Sequence, residues 1–304
     1  MDYKSLFIDP HFKRGFNVKG LGGSPDKIHT ELEAKFGQDQ SPVWNLCQWA
    51  ARYNLANPKE GTLVEESKGV FRLKTKTNDF LCNTNNGALT FDSNAANCYD
   101  RPRINDEPWQ HLLIETGFTD LKNPSPLNHV ASIQETLIKG KLKLLEFEDH
   151  MGDDFDEEFH AAQFVFFLTI HNANRDSKGF GEMIWFGVNF FDNRYEWTDY
   201  QAMFDKGTQC LMVGLGNRVA YPGGKSFFEG SIVIAGEDSP EYSFEIPIAK
   251  AIWKAHSTAQ DEGYFQNTSF DDLYITGMNM GWELPGTYHA SMSLRDFDIL
   301  VKPK

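Results

Sequence analysis

The fold of this chain is indicated most clearly by one stretch near its C-terminal end, Leu273-Tyr274-Ile275-Thr276-Gly277-Met278-Asn279-Met280-Gly281-Trp282-Glu283. Side chains of a β-strand alternate between two faces. One face of this stretch is bulky and suits a core, and it holds Tyr274, Thr276, Met278, Met280 and Trp282. The other face is smaller and more polar, and it holds Ile275, Gly277, Asn279, Gly281 and Glu283. We therefore predict a strand with a core on one side and a ligand-sized trough on the other. The alternative is an edge strand whose polar face meets water.

Similar strand-like stretches fill the rest of the chain from about residue 61. They fall at residues 70–74, 88–91, 111–115, 142–147, 164–170, 183–191, 210–215, 231–235, 242–246, 273–280 and 290–301. Turns rich in Gly, Pro and Asn separate them, which is typical of a sandwich or barrel. We predict an all-β fold, a two-sheet antiparallel jelly-roll sandwich, with one minor helix where apolar residues recur at helical spacing over 246–256.

The first 58 residues differ from this pattern. Ser24 can cap a helix whose first position is Pro25. Apolar residues then recur every four positions, at Ile28, Leu32 and Phe36. We predict that residues 1–58 form a short, partly helical arm packed on the body, and that residues 59–304 form the jelly-roll domain.

The charge of the chain limits its partners. The 304 residues carry a formal net charge of -14, which repels phosphate backbones and argues against nucleic acid as a partner. No stretch of 18 apolar residues exists, so no membrane span is predicted. Residues 1–19 contain no apolar signal-peptide core. The sequence leaves open whether the protein is cytoplasmic or secreted with its leader removed.

No cofactor is predicted. The four cysteines form no CxxC pair and no His cluster stands at zinc spacing, which argues against a metal site. Cys82 and Cys98 could form a disulfide in an oxidising compartment. Eight acidic residues lie within residues 146–158, which fits either a calcium-binding loop or a solvated loop. Because the run lacks the order of an EF-hand loop, calcium is the less favoured of these two alternatives.

Two short motifs resemble family 12 glycoside hydrolases. Glu182-Met183-Ile184-Trp185 is similar to the family's nucleophile strand, and Gly281-Trp282-Glu283, followed by Gly286, is similar to its acid/base strand. The resemblance implies a concanavalin A-like jelly roll, shared with family 11 xylanases, that hydrolyses a β-linked polysaccharide with retention. It implies Glu182 as the nucleophile and Glu283 as the acid/base, facing each other across a concave sheet.

One departure from the family motif favours a different function. The family has one residue between the glutamate and Met-Ile-Trp, and this sequence has none. In a regular strand Glu182 then lies on the face opposite Met183 and Trp185. A noncatalytic jelly roll that binds glycans or serves a structural role is therefore the first alternative.

A polysaccharide lyase is the second alternative. The strand face that ends in Thr169 and His171 resembles the Gln-Ile-His strand of jelly-roll lyases, with Thr in place of Gln. In such enzymes a His or Tyr abstracts a proton beside a cationic group. His171 and a tyrosine such as Tyr288 would then converge beside Arg194 or Arg218.

Several aromatic side chains lie in predicted strands, strand ends or loops. Aromatic rings stack on the apolar faces of sugars, but for any one of these side chains a place in the core is the favoured alternative, with Trp197, which charged residues flank, as the best exception. The predicted ligand-binding residues are Trp109, Trp185, Trp197, Asn279, Tyr288 and Arg194. The predicted partner is a polysaccharide or oligosaccharide.

Overall fold

Two large β-sheets lie face to face in the computed structural model, which describes residues 2–19, 28–29, 40–49, 51–53, 55, 59, 61–99, 101–104, 107–206, 208–221 and 223–304. The strands in chain order are β1 (Lys4–Ser5), β2 (Phe16–Lys19), β3 (Ile28–His29), β4 (Trp44–Cys47), β5 (Thr62–Ser67), β6 (Val70–Lys74), β7 (Asn78–Asn83), β8 (Ala88–Asn94), β9 (Gln110–Gly117), β10 (Ile133–Asp149), β11 (Gln163–Asn172), β12 (Met183–Asp192), β13 (Gln201–Asp205), β14 (Cys210–Leu215), β15 (Phe228–Glu229), β16 (Ile232–Val233), β17 (Glu241–Pro247), β18 (Leu273–Leu284) and β19 (Tyr288–Pro303). An α-helix, α1 (Ala249–Asp261), lies between β17 and β18. Short 3-10 turns occupy Ala95–Cys98, Pro126–Asn128, Val130–Ser132, Gly152–Asp154, Asn217–Ala220, Gly236–Asp238 and Phe270–Asp272.

The back sheet has the order β17-β10-β19-β8-β7-β6-β5, with β1 also paired to β19. The front sheet has the order β13-β14-β12-β11-β18-β9-β4-β2-β3. All pairs are antiparallel except two in the front sheet, β12 with β14 and β2 with β4. The prediction of an all-β, two-sheet jelly-roll sandwich is confirmed, with these two parallel pairs as local departures.

The bulky face of β18 packs into the core between the sheets, as predicted. Met280 and Trp282 are fully buried, and Trp282 Nε1 donates a hydrogen bond to the carbonyl of Phe91 in the back sheet at 3.0 Å. The rings of Phe164 and Phe191 stand edge-on to the Trp282 indole at 5.1 and 5.8 Å. The Phe164 ring also stands edge-on to the ring of Phe91 in the back sheet at 5.5 Å, so aromatic rings connect the two sheets.

A β-bulge changes the predicted faces at the start of β18. The register of β11 against β18 shifts so that Thr169 lies opposite Gly277 while Ile170 lies opposite Ile275, leaving Thr276 unpaired. Ile275, expected on the trough face, is therefore fully buried in the core. Thr276, expected in the core, turns its hydroxyl to Thr169 and His171 on the other face.

Parts of the first 58 residues belong to both sheets. The back sheet receives β1, and the front sheet receives β2, β3 and β4. Ile28, expected in a helix, lies in β3, and the rest of that predicted helix lies outside the described residues. The proposed division at residue 58 stays a prediction.

The minor helix is found three residues later than predicted. Residues 241–247 continue the back sheet as β17, so α1 begins at Ala249, just after Ile248. Its buried residues include Ile252 and Ala255, two apolar positions three apart that face the core.

Candidate functional site

A trough of about 730 Å³ lies on the outer face of the front sheet. Its apolar and aromatic lining includes Trp49, Phe167, Met183, Trp185 and Met212. Its ionisable lining residues are Glu115, His171, Asp205 and Glu283, and no Lys or Arg joins them among the described residues. The volume lies within the usual range for ligand pockets.

Cross-strand rows of the front sheet explain how these side chains meet. One row crosses four neighbouring strands. It consists of Trp185 on β12, Thr169 on β11, Gly277 on β18 and Gly117 on β9, each directly opposite the next. Residues directly opposite in a sheet project to the same side. The row therefore runs from an indole ring to two glycines, which leaves open space above the sheet beside an aromatic platform.

The next row supplies polar groups to the same surface. Phe167 lies opposite Asn279, which lies opposite Glu115. Asn279 is 5% exposed, and its Oδ1 atom has no hydrogen-bond partner. The Nε1 atom of Trp49 is also buried without a partner. Buried polar atoms in native structures are nearly always satisfied, so these two atoms have capacity for a ligand or bound water.

Glu283 lies in the trough with its side chain half-buried. Burial, and next the negative charge of Asp205, raise its pKa to about 7. Each of these causes disfavours the ionised carboxylate. Near neutral pH a substantial fraction of Glu283 therefore keeps its proton, which suits a proton donor.

His171 also lines the trough, and its environment keeps the imidazole neutral. Its Nδ1 atom is 2.6 Å from the hydroxyl of Thr276, which is itself 2.9 Å from the hydroxyl of Thr169. Burial lowers the pKa of His171 to about 4. His171 is thus held by a network of hydroxyl groups and carries no charge at neutral pH.

Glu182 does not lie in the trough, so the expected pair of facing glutamates is not formed. It precedes β12, and its carboxylate accepts a hydrogen bond from Thr268 Oγ1 at 2.6 Å. The same hydroxyl accepts a hydrogen bond from the buried side chain of Asn172 at 2.8 Å. The physical reason is strand alternation, which turns Met183 and Trp185 to the trough and Glu182 away from it.

Three other predicted ligand-binding residues have structural contacts elsewhere. Arg194 forms an ion pair with the buried Asp192 at 2.7 Å. Trp197 lies under the guanidinium of Arg218 at 4.1 Å from the ring centre. Tyr288 is fully buried at the start of β19 in the back sheet. None of them lines the trough, so the convergence of His171, a tyrosine and an arginine expected of a lyase is not formed.

Trp109 lies beyond the lining, just before β9. Its ring is 5.3 Å from that of His111, the residue of β9 opposite Glu283. The guanidinium of Arg103 lies 5.3 Å from the Trp109 ring, and the indole Nε1 is buried without a partner. Trp109 therefore belongs to the same side of the front sheet but not to the described lining.

Of the predicted residues, the trough brings together Glu283, His171, Trp185 and Asn279. It also contains functional groups that the sequence did not single out, chiefly Asp205 and Glu115. Glu115 ends a strand that the sequence did predict, and two-residue spacing from His111 and Leu113 would have placed it on the trough face. Asp205 has no comparable sequence signal, because it enters the trough from a distant hairpin.

Three expectations from the sequence concern a disulfide, a bound calcium ion and a membrane span. The four cysteines are free thiols, Cys82 and Cys98 included. Across the described ranges, no three His, Cys, Asp or Glu side chains converge as a metal site would require, and the 146–158 run is no exception. None of the helices that the structure describes has the length and apolar character to cross a membrane.

Comparison with known proteins finds similarity to solved structures only. No protein-family model matches the chain, and no curated protein does. An endoglucanase from Rhodothermus marinus has a TM-score of 0.40 at 10% identity over 80% of this chain and 97% of that one. A family 12 xyloglucanase from Bacillus licheniformis has a TM-score of 0.37 at 8% identity, with 80% and 91% covered.

A family 11 xylanase from Neocallimastix patriciarum is similar at a TM-score of 0.39 and 8% identity, over 81% of this chain and 97% of that one. The similar solved structures thus include members of glycoside hydrolase families 12 and 11, the two families that the sequence analysis named. At these TM-scores the similarity supports no argument about the activity of this chain.

Proposed function

We propose that the trough of the front sheet binds a neutral glycan chain and that the protein hydrolyses a glycosidic bond there, with Glu283 as the proton donor. The observation that carries this proposal is the position of Glu283, a carboxyl with a pKa of about 7 inside a trough. Glycoside hydrolysis needs such a protonated carboxyl beside the bond that breaks.

The lining of the trough supports a sugar as the ligand. Trp185 and Phe167 offer aromatic faces, with ring centres 6.2 Å apart, and pyranose rings stack on such faces. The unpartnered Oδ1 of Asn279 can accept a hydrogen bond from a sugar hydroxyl. An apolar platform beside unsatisfied polar atoms matches the mixed surface of a sugar ring.

The charge of the trough favours a neutral glycan over a uronate polymer. Its lining holds Glu115, Asp205 and Glu283 but lacks Lys and Arg over the part of the chain that the structure describes. A uronate carboxylate would meet only like charges there, which disfavours binding. This argues against the lyase alternative, which requires a cation beside the uronate.

A panel of polysaccharides tests the proposal. Release of reducing ends is measured for the wild-type protein and for Glu283→Gln, which keeps the shape of the side chain but cannot give up a proton. We expect the variant to lose about 100-fold or more of the turnover, the usual contribution of general acid catalysis. Wild-type turnover in Glu283→Gln would refute the role of Glu283.

A noncatalytic glycan-binding protein is the second candidate. The observation that favours it is the position of Glu182, whose carboxylate bonds to Thr268 outside the trough. Binding of an oligosaccharide, measured by calorimetry, without any release of reducing ends across the panel would select this candidate over the hydrolase.

A further inference from the structure

The hairpin formed by β13 and β14 brings a carboxylate into the trough from the edge of the front sheet. Asp205 is the last residue of β13, which lies four strands away from β18 in the sheet order. In a flat sheet those two strands would be about 19 Å apart, at about 4.8 Å per step. Asp205 and Glu283 nevertheless line the same trough, and the charge of Asp205 acts on Glu283.

Hydrogen bonds hold Asp205 at the tip of this hairpin. The backbone N–H of Thr208 donates to Asp205 Oδ2 at 3.2 Å, and the Thr208 hydroxyl donates to the same oxygen. Trp185 Nε1 donates in turn to the Thr208 hydroxyl at 3.1 Å. The carboxylate is therefore connected, through Thr208, to the aromatic platform in the trough.

Asp205 is the trough carboxylate whose charge acts on Glu283. The pKa of Glu283 rises through burial and then through the charge of Asp205, whereas Glu115 is not among the causes. The Glu115 carboxylate is instead 3.5 Å from Asn45 Nδ2 and 3.6 Å from the Cys47 thiol. A carboxyl that keeps its proton near neutral pH and a second carboxyl in the same trough are the two groups that glycoside hydrolysis uses.

We infer, on the basis of the proposed hydrolase function, that Asp205 is the second carboxylate of the reaction and the base for the attacking water. This replaces Glu182, which lies outside the trough. The two carboxyl groups line one space of about 730 Å³. A sugar ring and a water molecule can occupy that space, as inverting hydrolysis requires.

The proton balance of the step closes with these two groups alone. Protonated Glu283 gives its proton to the glycosidic oxygen as the bond from C1 to that oxygen breaks, and the bonding electron pair stays on the oxygen. The water oxygen forms a new bond to C1 from the other face, and ionised Asp205 takes the proton that this water loses. Exchange with solvent then returns the proton to Glu283 and ionises Asp205. The product has the opposite anomeric configuration at C1.

The test uses the full chain and the best oligosaccharide from the panel. Turnover, calorimetric affinity and the pH profile are compared for wild type, Asp205→Asn, Glu283→Gln and the carboxylate control Glu182→Gln. The anomer of the first product is read by proton NMR. We expect Asp205→Asn to lose about 100-fold or more in turnover with affinity retained, and Glu182→Gln to keep turnover.

The pH profile separates a chemical role from a structural one. Loss of the negative charge at Asp205 lowers the pKa of Glu283, so the alkaline limb of the residual activity should move to lower pH. The other ionisable groups of the lining are Asp205 on the hairpin, Glu115 on β9 and His171 on β11, and His111 of β9 lies directly opposite Glu283. Asp205→Asn changes the first of these groups and leaves the other three intact.

Three results would overturn the inference while leaving the proposed function in place. They are wild-type turnover in Asp205→Asn when Glu283→Gln is inactive, retention of configuration in the product, and loss of oligosaccharide affinity in Asp205→Asn. Wild-type turnover in Glu283→Gln would instead overturn the proposed function itself.

Discussion

At the scale of single residues, Glu283 shows how position alone changes the chemistry of a carboxyl group. It is half-buried, Asp205 repels its ionised form, and its pKa rises to about 7. Such a group costs folding free energy whenever it must ionise. The same property that would make Glu283 a proton donor therefore makes the stability of the protein depend on pH.

The expected sign of that dependence follows from the two protonation equilibria. Unfolded chains release this proton near pH 4.3. Between about pH 4.5 and 7 the folded state therefore binds more protons, and the free energy of unfolding falls by on the order of 3 kcal/mol as pH rises. We expect Glu283→Gln to remove this fall. Urea unfolding should show that the free energy of unfolding of the variant, relative to that of the wild type, is higher at pH 8 than at pH 4.5.

Two buried histidines act in the opposite direction over part of the same range. Burial lowers the pKa of both His111 and His171 to about 4, so their contribution to stability is lost as pH falls from about 6.5 toward 4. The wild-type protein and Glu283→Gln both contain these histidines. The difference between the pH dependences of their stabilities therefore reports on Glu283 alone. Identical pH slopes in the two proteins would contradict the raised pKa.

At the scale of elements, β18 shows which features of a strand can be predicted from sequence. The alternation of 278–283 correctly assigned Met280 and Trp282 to the core and Asn279 and Glu283 to the trough. It failed at Ile275 and Thr276, because a bulge depends on the register of the partner strand β11. Local periodicity cannot contain that information.

Gly281 allows β18 to approach β9 closely. Its φ is +151°, and a Cβ atom there would lie 2.1 Å from the Leu112 carbonyl oxygen. We expect Gly281→Ala to destabilise the protein by about 3 kcal/mol or more, because backbone must move to relieve the clash. Chemical denaturation monitored by tryptophan fluorescence measures this loss.

Gly214 provides the matched control in the same sheet. A Cβ atom there would meet Gln201 Cγ at 3.5 Å, an ordinary contact. Gly214→Ala should therefore change the free energy of unfolding by less than about 1 kcal/mol. Equal losses in the two variants would argue against a close approach specific to Gly281.

At the scale of the whole molecule, the aromatic core couples the two sheets. Trp282 of the front sheet donates a hydrogen bond to the Phe91 carbonyl of the back sheet, and Phe164 and Phe191 pack on its indole. We expect Trp282→Ala to cost about 3–5 kcal/mol through the lost contacts and the cavity. Calorimetry should show a lower Tm for a single transition.

The exposed Trp253 on α1 is the control for this substitution. Its side chain is 59% exposed, so Trp253→Ala should change stability by no more than about 0.5 kcal/mol. Two separate transitions in the wild-type protein, one for each sheet, would show that the core does not unite them.

The sequence predicts the architecture better than it predicts the site. Turn-separated strands indicated the sandwich, and the motifs around 182–185 and 281–286 lie at β12 and β18. The structure does not bring Glu182 to Glu283, because one missing residue reverses the face. Asp205 could not be predicted at all, since the hairpin of β13 and β14 brings it to the trough from a distant part of the sequence.

The hydrogen bond from Trp185 to Thr208 has a consequence for how the site would assemble. The indole on which a sugar would rest also steadies the loop that carries Asp205. A ring settling on that indole shields the bond from competing water and so stiffens the loop. Binding of the ligand and alignment of Asp205 would then occur together. The loop next to Asp205 would be more mobile in the empty trough than in the occupied one.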